Sequence, residues 1–223
     1  MRRRLSCWTV VFAVALAACS GDAEEPDATN GPAPGAETAV GAVEDLIAAV
    51  NQGDFIEASR LAIPGHAALA ALAEGATFAE VASALRDGDE EIASNFWAGF
   101  AQGSGTFLTG SVNAEEDGTL ASGDVEFQRI AVQPDEGGQR VLLVREDNGY
   151  KIDLFASFGT GLADKMITPA ERLLTAQTAD ARLILARLQE IVPSLQVAAS
   201  LPGTTAEASQ QVIALIEVIT RVG

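Results

Sequence analysis

The chain has 223 residues, 48% of them hydrophobic but only 5% aromatic, and carries 31 acidic against 14 basic residues, a net charge of −17. That balance excludes a nucleic-acid-binding class, whose affinity comes from basic patches, and disfavours direct docking on anionic lipid. The apolar content suffices for one domain, with or without an appendage, built on Ala, Leu, Val and Ile.

Arg2, Arg3 and Arg4 precede an apolar run from Val10 to Ala18. The run is too short to cross a bilayer, which needs roughly 20 apolar residues, and fits a secretory signal. It closes on Leu16-Ala17-Ala18-Cys19, followed by Ser20-Gly21. This box resembles the lipobox of bacterial lipoprotein signals. The resemblance implies cleavage before Cys19, a diacylglycerol thioether on Cys19 and acylation of its new amino group. It also implies an extracytoplasmic protein held on the bacterial cell membrane, with the lipid bilayer as its first partner. Two or more acyl chains anchor stably where one does not. Cys7 falls within the signal, so the mature chain would have no internal disulfide. The triple arginine leaves both the general and the twin-arginine export routes open. Of the 14 basic residues, three are lost with the signal, leaving 11 against 31 acids, a net −20. Residues 20–37 hold Gly, Pro, Ala, Asn and acids without a large apolar side chain. They read as a disordered tether with a reach of about 20–25 Å. The expected organisation is a signal over 1–18, a lipidated tether over 19–37, an α+β domain over 38–159 and a helical extension over 160–223.

In the segment 40–50, Val40, Val43, Leu46, Ile47 and Val50 share one face at helical spacing. Asn51-Gln52-Gly53-Asp54 breaks that helix, and Phe55, Ala58 and Leu61 predict a short second one ending before Pro64. Thr77 and Glu80 form a capping-box pattern ahead of Val81 and Leu85. After a turn at 86–89, Ile92, Phe96 and Phe100 lie at four-residue intervals on the next helix, with Trp97 beside them.

Beyond Gly103-Ser104-Gly105 the period changes to two. Residues 106–115 and 119–133 read as strands joined by a hairpin turn at Glu116-Asp117-Gly118. Val125 and Phe127 share one parity and Ile130 and Val132 the other, which predicts a bulge near Gln128-Arg129. QRVLLVRE (139–146) is apolar on both faces and so predicts a central strand. Asp147-Asn148-Gly149 turns it into YKIDLFAS, where Tyr150, Ile152 and Leu154 share a face. Two stretches, AVEDLIAAVNQGDFIEASRLA and VREDNGYKID, make residues 40–156 resemble the nuclear transport factor 2-like, or cystatin-like, domains that some small bacterial lipoproteins carry. The resemblance implies N-terminal helices packed on a curved antiparallel sheet of about four strands, with a cone between them. Phe96, Trp97, Phe100 and Phe127 are the candidates to line that cone as a pocket, or to fill it as core. Ketosteroid isomerases share the fold and use a pocket Asp with a Tyr donor. The single tyrosine, Tyr150, aligns with no such site.

In the last third, Thr168-Pro169-Ala170-Glu171 has the form of a helix start, and the helix is expected to run to about Val192. Leu174, Ala181, Leu185, Leu188 and Val192 make its stripe, and Pro193 kinks or breaks it. Thr204 to Glu207 would cap a last helix bearing Val212, Leu215, Ile216, Ile219 and Val222. Together these form a helical hairpin, its stripes buried on the sheet, on each other or on a second copy, which would make a homodimer.

No arrangement of reactive residues names a reaction. The one histidine, His66 in IPGHAAL, reads as a surface or capping residue, and no nucleophile elbow accompanies it. One His and a lipidated Cys give no zinc set short of an all-carboxylate one. The acids of RDGDEE (86–91) read as a solvated turn rather than a calcium loop. No catalytic residue, metal ligand or cofactor is assigned. Three functional readings follow: a non-catalytic envelope lipoprotein that binds a partner protein or small ligand, a carrier or sensor of small apolar ligands using the cone, and an envelope enzyme with an isomerase- or hydrolase-like pocket.

Overall fold

Thr38 opens the first helix, α1 (Ala39–Gln52), by accepting a hydrogen bond from the Gly41 amide at 3.0 Å. Gly53 ends it in the left-handed region at φ 74°, a conformation glycine adopts without a Cβ penalty. Asp54 then caps α2 (Phe55–Leu61). The computed structural model describes residues 36–88, 90–103, 113–133 and 139–221. The expected signal, the expected lipobox with Cys19, the expected tether up to residue 35 and residues 106–112 of the expected first strand lie outside the described residues.

A short helix α3 (His66–Ala70) continues as a 3-10 turn (Ala71–Glu74) and leads to α4 (Phe78–Asp87) and α5 (Glu90–Gly103). Thr77 and Glu80 form the expected reciprocal capping box at the start of α4. Four strands follow as an antiparallel meander in the order β1 (Ala114–Ser122), β2 (Val125–Val132), β3 (Arg140–Glu146), β4 (Gly149–Ile152). The chain then runs through α6 (Leu154–Thr175), α7 (Ala179–Glu190), α8 (Val192–Ser200) and α9 (Ala206–Thr220). The class is α+β, with helices, then a four-stranded antiparallel sheet, then C-terminal helices.

Both faces of the sheet are covered. Ile130, Val132, Val141, Leu143 and Ile152 join the main core with Val43, Leu46, Ile47 and Val50 of α1. On the opposite face Phe127 and Leu142 pack with Ala156 of α6 and Val197 of α8. This explains the change of parity along β2. Phe127 and Ile130 belong to two cores, and β2 needs no bulge of its own. The irregularity sits on β1, where Asp117 and Gly118 together oppose Arg129. The Arg129 guanidinium donates to the Asp117 carbonyl, and Arg140 Nε reaches the Asp117 carboxylate at 2.7 Å. Glu116-Asp117-Gly118 is therefore a bulge inside β1 rather than the hairpin turn, which lies at Gly123-Asp124. Gly118 and Gly123 both have positive φ, at 81° and 59°, so the sequence carried two equivalent turn signals. QRVLLVRE is an inner strand as expected, with Val141, Leu142 and Leu143 fully buried.

The last strand is shorter than its alternation suggests. Asp153 accepts from the amides of Phe155 at 3.0 Å and Ala156 at 2.9 Å, which starts α6 where the strand was expected to continue. Thr168-Pro169 is accordingly not a helix start, since α6 runs through Pro169. Phe155, Leu162, Met166, Ala170 and Leu173 form one continuous buried stripe across it, and that packing outweighs the amide bond which proline cannot make. The expected single long helix is divided instead at 176–178, where Thr178 caps α7. Thr205 caps α9 through the Ala208 amide at 3.2 Å. Of the expected α9 stripe, Val212, Leu215 and Ile219 are buried and Ile216 half-buried where α9 packs on α6 and α8, and Val222 lies outside the described residues. No described helix is long and apolar enough to cross a membrane.

Candidate functional site

The structure brings three of the four aromatic candidates together. Phe96 and Trp97 have ring centroids 5.1 Å apart, Trp97 and Phe100 5.4 Å, and Phe158 of α6 closes on Phe100 at 4.9 Å. Trp97 Nε1 donates to Ser59 Oγ at 3.1 Å, and Ser59 in turn donates to the Phe55 carbonyl. Phe96 and Trp97 are buried and Phe100 half-buried. Phe96 and Phe100 border open space as well as one another, while Trp97 packs behind them. The fourth, Phe127, lies on the other face of the sheet, because its parity is opposite to that of Ile130. A cavity of about 290 Å³ remains beside Phe96, Phe100 and Phe158, edged by the Glu74–Lys165 ion pair at 2.9 Å.

A larger groove of about 560 Å³ opens elsewhere, and polar groups line it. Leu69, Leu85, Val125, Val144, Ile191 and Pro193 give it apolar walls, while His66, Asp153 and Ser194 supply buried polar side chains. These three come from distant parts of the chain. His66 follows the Pro64-Gly65 turn. Gly65 holds φ 83° there, a left-handed conformation that favours glycine, and a Cβ on it would press on the Leu85 side chain at 3.0 Å. Asp153 stands where β4 gives way to α6, and its own amide donates to the Leu142 carbonyl at 2.9 Å. Ser194 lies in the first turn of α8.

Asp153 organises the constellation. Its Oδ1 accepts the two α6 amides, and its Oδ2 accepts the Ser194 hydroxyl at 2.6 Å. His66 Nδ1 approaches Oδ1 at 3.5 Å, an ion-pair distance that is long for a hydrogen bond. Nδ1 is sealed from solvent and without a hydrogen-bond partner. The ring stands edge-on to Phe155, centroids 5.1 Å apart. Burial pushes the His66 pKa below 6.5, and the Asp153 carboxylate offsets this only in part. The imidazole is therefore neutral at pH 7. At the rim, Arg187 donates to both carboxylate oxygens of Glu190, at 3.1 and 2.9 Å.

Chemically, the groove offers an oriented neutral imidazole backed by a carboxylate. Ser194 is the only hydroxyl among its lining residues, and it gives its proton to Asp153. The α6 amides that could hold an oxyanion are taken up by Asp153 as well. The arrangement can orient a hydrogen-bonded guest but presents no activated nucleophile. Among the described residues, no group of three or more His, Cys, Asp or Glu side chains is placed to hold a metal. Around the RDGDEE turn, Arg86 pairs with Asp180 of α7. Tyr150 lies under the Arg145 guanidinium, 5.7 Å from its ring centroid, and does not line the groove.

The sequence reading of His66 as a surface or capping residue is thus corrected. Its neighbours Ala67, Ala68 and Leu69 are all buried, and α3 carries the imidazole into the core with them. Asp153 was legible in principle, since an Asp followed by the apolar helical stripe of 155, 162 and 166 is a cap signal. Nothing in VPSLQ marks Ser194. Compared with protein-family models, curated proteins and solved structures, the chain matches none.

Proposed function

We propose that this chain is a lipoprotein of a bacterial cell envelope, lipidated on Cys19, which displays a non-catalytic binding domain from the membrane surface. The helices-then-meander order supports a nuclear transport factor 2-like domain with a helical extension. The binding site is the groove holding His66. One observation carries this reading: an apolar-walled groove, larger than the cavity beside Phe96 and Phe100, lined by the buried side chains of His66, Asp153 and Ser194. Its volume lies within the roughly 300–1,000 Å³ of small-molecule sites. A carrier using the aromatic cluster would have only the cavity of about 290 Å³ beside Phe96 and Phe100, half the volume of the groove. Covalent catalysis would need a hydroxyl or thiol nucleophile, and the one hydroxyl of the groove, Ser194, gives its proton to Asp153. The anchor is tested by expression in a bacterial host with labelled palmitate. The chain should take up label and sediment with membranes, and Cys19→Ala should abolish both. Label and sedimentation that survive Cys19→Ala would refute the anchor.

A further inference from the structure

We propose that the groove takes a neutral amphipathic small molecule, with a hydroxyl or N–H donor placed on His66 Nε2 and its apolar body laid along the walls. This rests on the groove being a binding site and names what it binds. The argument is one of open valences. Asp153 already accepts three hydrogen bonds, from Phe155, Ala156 and Ser194. Arg187 is engaged by Glu190 on α7. With Nδ1 sealed against Asp153, Nε2 is the nitrogen left to meet an occupant, and in the neutral ring that Asp153 orients it is an acceptor. A guest that satisfies it must donate.

The walls set the rest of the guest. Leu69, Leu85, Val125, Val144 and Ile191 favour an apolar body. An anion would face the Asp153 carboxylate with no unpaired cation among the groove residues. A cation would give up its hydration to meet oxygens already occupied by three donors. A donor on Nε2 also makes Nδ1–H a better donor toward Asp153 Oδ1. The 3.5 Å contact would then tighten, and the one buried orphan among the described residues would be satisfied in the complex. Asp153 is a positioning residue in this scheme, acting through the ring.

The test uses the full chain with four fluorinated probes followed by fluorine NMR: 4-fluorophenol, 4-fluoroanisole, 4-fluorobenzoate and 4-fluorobenzylammonium. His66 is the only histidine, so nitrogen-15 labelling of histidine gives one imidazole to read alongside. 4-Fluorophenol should bind saturably and shift Nε2. 4-Fluoroanisole, which lacks only the donor, should bind about tenfold more weakly, as one lost hydrogen bond requires. The benzoate and the benzylammonium should also bind more weakly than the phenol. His66→Phe should lose the preference for phenol over anisole while keeping its melting behaviour. Equal binding of phenol and anisole, or a phenol complex that leaves the His66 signals unmoved, overturns the proposal. The imidazole signals of the native chain report this even if His66→Phe does not fold. Tighter binding of the ammonium or the benzoate, with movement of His66, overturns the ligand class but leaves the groove as a binding site. Silence from all four probes removes both.

Discussion

Replacing Asp153 separates its two roles, as cap of α6 and as orienter of His66. In Asp153→Ala the amides of Phe155 and Ala156 lose their acceptor in the core, as does the Ser194 hydroxyl. Loss of an N-cap costs about 0.5–2 kcal/mol, and each buried donor left unsatisfied about 1–3 kcal/mol. The hydroxyl can rotate to another acceptor, so the amides dominate and the total should be roughly 3–5 kcal/mol. Asp153→Asn keeps an oxygen for both amides and presents an NH2 group to Ser194, which can accept in turn. It should cost about 1 kcal/mol or less. Urea unfolding followed by far-ultraviolet circular dichroism, at pH 7.5 and with m unchanged, measures both. An alanine variant within about 1 kcal/mol of the native chain would refute the cap. An asparagine variant as damaging as alanine would show that charge, rather than hydrogen bonding, holds this junction.

Three further outcomes follow from the same geometry. Burial lowers the His66 pKa in the folded state, so below pH 6.5 the unfolded chain binds more protons. Stability should therefore fall as pH drops from about 6.5 toward 5, above the range where Glu80 and Asp117 titrate, and His66→Phe should flatten that slope; an unchanged slope would contradict a buried neutral imidazole. Pro169→Ala restores an amide inside α6 and should raise stability by about 1 kcal/mol or more, whereas a loss would mean that proline starts a helix there after all. Ending the chain at residue 159 removes most of α6 and all of α7–α9, uncovers the Phe127–Leu142 face, and should abolish cooperative unfolding; a stable truncated domain would make these helices an appendage.

What the sequence made legible was local. Capping signals at Thr77 and over 204–207, the Gly53 stop and the continuous apolar run of β3 each depend on a few neighbouring residues, and the structure uses them. Failures came where tertiary contacts choose between equal local signals. Gly118 and Gly123 each allow a turn, and the bonds from Arg129 and Arg140 to Asp117 mark the first as a bulge. Thr168-Pro169 has the form of a helix start, but the stripe from Phe155 to Leu173 runs through it. The groove was the least legible part. His66, Asp153 and Ser194 stand 87 and 41 residues apart, and no spacing rule connects a turn histidine, a strand-end aspartate and a serine in a later helix. Phe127 misled for the opposite reason, since an aromatic in an alternating strand gives no hint of which face is closed by helices 30 and 70 residues further on.

The most direct test of the account is native mass spectrometry of the full chain extracted from bacterial membranes, beside its His66→Phe variant. The expected spectrum shows a chain beginning at Cys19 with two or three acyl groups, plus a small non-covalent adduct that the variant lacks. An unprocessed or unacylated chain would contradict the anchor, and an adduct held equally by His66→Phe, or none in the native chain, would contradict the groove as the binding site.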